Sequence, residues 1–151
     1  MKKIFSISAL IMGVLVGMSS NSCGKNQNAK KISYNVGYVN TNFHKIQDMQ
    51  RIVKTFSEWT VIYADYSTIT EFHKYNKQFF TSSSLVVYSF ESGSGIASIE
   101  ITNLCLVNKE IEVTAEIAWQ FTDVMSYGFV IMEVLKVDIT NANSVRVFTI
   151  N

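Results

Sequence analysis

The sequence predicts an α+β domain in which short N-terminal helices precede an antiparallel β meander of about five to six strands. This fold would be sandwich-like, or a sheet covered by helix. Helix-start signals lie between residues 55 and 80, whereas alternation of apolar and polar residues predominates from residue 85 onward. The 151 residues are 48% hydrophobic and 13% aromatic, which is enough for one hydrophobic core and excludes a disordered chain.

The helical region is expected to begin at a capping residue, either Thr55 or Ser57, and to extend to about Ala64. Glu58 would lie in the first turn, where a carboxylate is favoured by the helix dipole. The segment Ser67–Phe80 is helical in pattern over its first half. The expected helices are therefore short and lie ahead of most of the strands.

The expected strands are rich in β-branched and aromatic residues and are separated by polar turns. Their ranges are 32–39, 50–55, 85–91, 96–107, 110–120, 129–137 and 145–150. The strands that meet at Asn108-Lys109 form the clearest hairpin. On the second of them one face carries Ile111, Val113, Ala115, Ile117 and Trp119, and the other carries Glu110, Glu112, Thr114 and Glu116. The segment 129–137 is apolar on both faces, which predicts a central or covered strand.

The N-terminus has the pattern of an export signal. Lys2 and Lys3 precede 15 uncharged residues, Ile4 to Met18. As a helix this stretch would span about 22 Å, short of the roughly 30 Å hydrocarbon core of a bilayer. We therefore expect a signal peptide over residues 1–22, a flexible tether over 23–31 and a single α+β domain over 32–151.

The residues around Cys23 resemble a bacterial lipoprotein signal, in which a small residue such as Ser22 precedes a cysteine that becomes lipidated. This resemblance implies an extracytoplasmic protein held at the cell membrane by palmitate and related lipid on Cys23. The same region permits a different outcome. Ser20 and Ser22 also satisfy the small-x-small rule of ordinary signal peptidase, which would release a secreted protein.

The charge balance excludes nucleic acid as the natural partner. Without Lys2 and Lys3, 11 of the 13 basic side chains remain against all 12 acidic ones, a net charge of −1. The cysteine count agrees with lipidation, because a lipidated Cys23 leaves Cys105 without an intramolecular partner. Cys105 lies in an apolar run and is expected to be a buried core thiol. A Cys23–Cys105 disulfide requires the signal to be cut by another route.

No catalytic constellation emerges from the sequence. Glu110, Glu112 and Glu116 share a strand face that Glu100 would oppose, a pattern more typical of a solvated face than of a glycosidase pair. Glu133 interrupts an apolar strand, and we expect either a structural ion pair, with Lys136 or Arg146 as partner, or an exposed edge position. The sequence contains no zinc or calcium spacing. We therefore predict no enzyme activity, no cofactor and no metal.

Two aromatic residues, Trp119 and Tyr127, are the candidate binding residues. They would form an exposed platform for a small ligand or sugar, although core packing explains them equally well. Ser92 to Gly95 is expected to be a turn between strands and not a phosphate-binding loop. A strand, and not a helix, follows it, and the sequence has no Gly-Lys-Ser/Thr motif there.

Residues 53 to 137 resemble small exported bacterial β-domains related to the PrcB C-terminal family. The resemblance is carried by these segments: VKTFSEW (53–59), YNKQFF (75–80), SLVVYSFESGSG (84–95), the hairpin SIEITNL with KEIEVTAEI, TDVMSYG (122–128) and FVIMEVLK. The family is named after a subunit of a secreted protease complex. The resemblance therefore implies binding and stabilisation of partner proteins, with no catalytic residues to transfer.

These observations predict an exported, lipid-anchored envelope protein that acts as a protein-binding or complex-stabilising module. The alternatives are a small cell-wall glycan hydrolase using Glu100 and Glu116, and a small-ligand or sugar-binding domain.

Overall fold

The computed structural model describes residues 28–43 and 47–150, which form two four-stranded sheets and a helical layer. The strands are β1 (Ala29–Lys31), β2 (Tyr34–Asn40), β3 (Met49–Val53), β4 (Ser83–Ser92), β5 (Gly95–Val107), β6 (Glu110–Gln120), β7 (Ser126–Leu135) and β8 (Ser144–Ile150). The α-helices are α1 (Phe56–Tyr63) and α2 (Phe79–Ser82). Short 3₁₀ segments lie at Ala64–Tyr66, Thr70–Lys74 and Lys136–Ile139.

The β-rich α+β character is confirmed, but the described residues contain eight strands, more than the expected five to six. The outer sheet has the order β1-β5-β6-β8, and the middle sheet has the order β2-β7-β4-β3. The expected meander is wrong in two respects. The connections β4–β5 and β6–β7 cross between sheets, and β8 pairs with β6 in parallel.

The middle sheet is covered on both faces, which explains the continuous apolar run of β7. Val130, Met132 and Val134 join the core between the two sheets. Phe129 and Ile131 face the opposite way and pack with Trp59, Phe72 and other residues of the helical layer. The prediction of a central, covered strand is thus confirmed for residues 129–135, because β7 lies between β2 and β4, whereas residues 136 and 137 belong to the 3₁₀ segment that follows.

Helix α1 begins where local capping chemistry dictates. The Thr55 hydroxyl accepts a hydrogen bond from the Glu58 backbone N–H at 3.2 Å, and the Glu58 carboxylate accepts from the Thr55 N–H at 3.0 Å. This reciprocal pair satisfies two backbone donors that a helix start leaves open. Of the two expected caps, Thr55 is therefore the correct one.

The hairpin of β5 and β6 is confirmed, with Val107 opposite Glu110 across the two-residue turn. Asn108 has a φ of 58°, in the left-handed region that asparagine tolerates better than most residues. At the far end of the hairpin Gly95 lies opposite Gln120. A side chain on Gly95 would meet Gln120 Cγ at 2.7 Å, so the crossing from β4 into β5 requires a residue without Cβ.

The last three residues of the expected tether belong to a strand. Ala29, Lys30 and Lys31 form β1 and pair with Val107, Leu106 and Cys105 of β5. The signal peptide and Cys23 lie outside the described residues. Within residues 28–43 and 47–150, no helix has the length and apolar character needed to span a membrane.

Candidate functional site

Glu133 lies in a small polar cluster whose partners differ from those expected. Its Oε1 is 2.7 Å from Lys74 Nζ and accepts a hydrogen bond from the Tyr75 hydroxyl at 3.0 Å. Burial, followed by the nearby carboxylate, raises the pKa of Tyr75. The expected partners serve elsewhere: Arg146 pairs with Glu110, and Lys136 donates to the Phe80 carbonyl.

The Glu133 cluster is a means of holding the helical layer on β7. Lys74 also donates to the Gly37 carbonyl at 3.1 Å, so it ties β2 to the 3₁₀ segment Thr70–Lys74. Oε1 of Glu133 and the Tyr75 hydroxyl are therefore both engaged within the fold. We therefore assign this cluster a role in stabilising the fold and not in catalysis.

The acidic face of the outer sheet is exposed at Glu100 and Glu116. Glu100 and Glu116 are directly opposite each other on β5 and β6, as the alternation predicted. Both are exposed. Neither lines any of three surface cavities of the described residues, one beside β3, one beside the start of α1 and one between β2 and β7. A glycosidase needs a cleft that holds the sugar between its two carboxyl groups, and this pair has no such setting.

Trp119 and Tyr127 do not form one platform. Trp119 lies at the end of β6 and contacts the edge of Phe90, with ring centroids 6.3 Å apart. Phe90 packs against the core between the sheets, whereas Tyr127 packs against the helical-layer core. The two aromatic residues therefore face opposite sides of the middle sheet, and the expected shared ligand cleft is absent from the described residues.

Trp119 instead belongs to an exposed apolar surface, here called the apolar tip and defined as Trp119, Phe121, Val124 and Met125. These side chains are 42%, 107%, 68% and 51% exposed. Four large exposed apolar side chains thus lie within seven consecutive residues, and clustered exposure of this kind is typical of a binding surface. The sequence signal for it was the loss of alternation after Gln120, where FTDVM carries three apolar residues in five.

A second surface lies beside β3, the edge strand of the middle sheet. This groove, here called the edge groove, has a volume of about 1310 Å³. β3 forms one wall, and α1 with the following turns forms the other. Its lining residues are Gln47, Asp48, Met49, Gln50, Arg51, Val61, Ile62, Asp65, Tyr66, Thr68, Ile69 and Glu91. Sequence reasoning missed it, because only the strand order of the folded sheet makes β3 an edge.

Cys105 is buried, as expected, but it is disulfide-bonded rather than a free thiol. It lies on β5 opposite Glu112, on the face of the outer sheet that points away from the core between the sheets. A sulfur that carries a lipid thioether cannot also form a disulfide. Since the chain has two cysteines, lipidation of Cys23 and a disulfide at Cys105 exclude each other within one molecule.

Metal chemistry has no support in the described part of the chain. No group of three or more His, Cys, Asp or Glu side chains is placed there to hold an ion. His73 contacts the Ser67 carbonyl and the Tyr63 ring, and His44 lies outside the described residues.

Comparison with known proteins gives no relative: no family model, curated protein or solved structure matches this chain. The resemblance to the PrcB C-terminal family therefore remains a prediction carried by the sequence segments alone.

Proposed function

We propose that this chain is an exported protein-binding module of the bacterial envelope and that it engages a partner protein through the apolar tip. The exposure of Trp119, Phe121, Val124 and Met125 is the observation that carries the proposal. Tryptophan, phenylalanine and methionine are enriched at the centres of protein interfaces. No lysine or arginine occurs between Trp119 and Gly128, which favours a protein over an anionic lipid surface.

The position of the tip supports this role. Ala29, the first strand residue, lies opposite Val107, whereas the tip follows the end where Gly95 lies opposite Gln120. β5 has 13 residues, so the two ends are about 40 Å apart along the strand. A domain held near its N-terminus would therefore present the tip on the side remote from its point of attachment.

Photo-crosslinking in intact cells tests the proposal. A photoreactive amino acid replacing Phe121 should give a discrete crosslinked product, because this side chain is fully exposed at the tip. The matched control replaces Val137, which is 76% exposed but lies in the 3₁₀ segment Lys136–Ile139. Equal products from both positions, or none from position 121, would refute binding through the tip.

For attachment, we propose lipid on Cys23, supported by the resemblance of residues 1–24 to a lipoprotein signal. The disulfide at Cys105 favours a second candidate, in which ordinary signal peptidase releases a secreted protein that keeps Cys23 available for oxidation. Both candidates place the domain outside the cytoplasm, where disulfides persist.

The two candidates make opposite predictions for Cys105. Lipid attachment predicts labelling by palmitate, precursor accumulation with globomycin, and a Cys105 thiol that reacts with maleimide after denaturation without reductant. Release predicts no lipid label and a thiol that reacts only after reduction. Lipid-labelled protein with unreactive Cys105 would contradict both schemes for a single chain.

A further inference from the structure

We propose that the edge groove binds an extended peptide segment carrying lysine or arginine side chains, which adds to β3 as a further strand of the middle sheet. This site is separate from the apolar tip and does not depend on it. Three features support the site: the outer edge of β3, the apolar base of the groove and the charge of the groove.

β3 offers the backbone of an edge strand. It pairs with β4 from Met49 opposite Ser89 to Val53 opposite Leu85, and among the described residues no strand pairs with its other side. A strand edge of this kind is a template for main-chain hydrogen bonds from an added strand. Five residues span about 16 Å, which is room for a short segment.

The adjacent outer-sheet edge is partly occupied already. The side-chain oxygen of Gln50 accepts a hydrogen bond from the Val147 backbone N–H of β8 at 3.2 Å. Gln50 thus bridges the two edge strands on this side of the molecule. One donor of β8 is satisfied within the fold, which leaves β3 as the better template beside the groove.

The base of the groove suits alternating apolar side chains. Ile62 is buried, and Met49, Tyr66 and Ile69 are half-buried beneath the open space. Val61, at 67% exposure, adds apolar surface on the α1 wall. In an added strand, alternate side chains would turn toward this base while the others turn to solvent.

The charge of the groove selects the class of peptide. Among the described residues that line it, three are carboxylates, those of Asp48, Asp65 and Glu91, and one is a cation, Arg51. Asp48 is fixed in place, since its Oδ1 accepts the Glu91 backbone N–H at 2.9 Å. The net charge of −2 favours basic residues at the exposed positions of the peptide and disfavours acidic ones.

Titration of the exported, processed protein with synthetic peptides tests the proposal by NMR. The probe is a capped peptide of sequence KVTVKVTV, compared with the same peptide carrying glutamate for lysine. We expect saturable binding of the lysine peptide, at least about tenfold tighter than the glutamate peptide, with shifts confined to β3 and α1. Shifts centred on the apolar tip, or equal affinity for the two peptides, would overturn the proposal.

Charge reversal locates the site. Asp65→Lys combined with Glu91→Lys should weaken the lysine peptide by at least about tenfold. The matched control, Glu112→Lys with Glu116→Lys on the outer sheet, should change its affinity by less than about twofold. Phe121→Ala should also leave peptide binding unchanged. The proposal for the edge groove can therefore be tested independently of the proposal for the apolar tip.

N-methylation tests the strand geometry. Alternate amides of an edge-added peptide point toward β3, so methylating one alternate set should abolish binding while methylating the other set should preserve it. If both methylated peptides bind as well as the parent, the peptide is not held by main-chain hydrogen bonds and strand addition is wrong.

Discussion

At the scale of single residues, Glu133 shows what sequence reasoning reaches and where it stops. A carboxylate inside an apolar strand signals a structural partner, and the structure supplies one. The partner is Lys74, 59 positions earlier in a 3₁₀ segment, rather than the nearer Lys136. Which cation reaches Glu133 depends on how the helical layer docks on β7, and no local pattern encodes that docking.

We predict that Glu133→Ala lowers the free energy of unfolding by about 1–3 kcal/mol, because the buried Tyr75 hydroxyl loses its acceptor. Glu133→Gln should cost less, since the amide oxygen can still accept that hydrogen bond. Urea denaturation provides the measurement. Glu116→Ala is the control and should not destabilise the fold, because Glu116 lies opposite the like-charged Glu100. Equal effects at positions 133 and 116 would contradict the assigned role.

At the scale of elements, the sequence predicted helix starts and turns correctly where residues only a few positions apart determine them. The capping box of Thr55 and Glu58 set the start of α1, and Asn108 set the hairpin turn. Elements whose existence depends on distant pairing were missed or misjudged. β1 has only three residues and a polar sequence, so its strand conformation comes from pairing with β5.

We predict that Thr55→Ala destabilises the protein by about 1 kcal/mol, because the Glu58 backbone N–H loses its acceptor. Ser57→Ala should have an effect of no more than a few tenths of that value, because Ser57 lies inside α1, where alanine is the better helix former. Thermal unfolding followed by circular dichroism measures both. A larger loss of stability for Ser57→Ala than for Thr55→Ala would show that Ser57, and not Thr55, caps the helix.

At the scale of the whole molecule, the layered arrangement follows from the covered middle sheet. The apolar run of β7 predicted coverage, but the sequence did not reveal that the chain crosses between the sheets at β1–β2, β4–β5, β6–β7 and β7–β8. The inward residues of β6 all join the core between the sheets, whereas those of β7 divide between that core and the helical-layer core, which assigns the two strands to different layers. The parallel pairing of β8 likewise depends on the 3₁₀ segment Lys136–Ile139 carrying the chain back across the sandwich.

We predict that backbone amides of β4 and β7 exchange most slowly with solvent, because their strands are interior to the middle sheet and covered on both faces. The amides of β1 should exchange fastest among the strands of the outer sheet, since β1 is short and lies at an edge. Hydrogen exchange followed by mass spectrometry gives this ranking. Protection of β1 equal to that of β7 would contradict it.

The position of β1 has a mechanical consequence. A pull between Ala29 and a partner bound at the apolar tip would run lengthwise along β5 and load the β1–β5 hydrogen bonds in shear. Only three residue pairs join β1 to β5, whereas β5 and β6 pair along nearly their whole lengths. β1 would therefore yield first, but it already runs extended in the direction of the pull, so its release would add little length while the sandwich and both proposed binding surfaces stay folded.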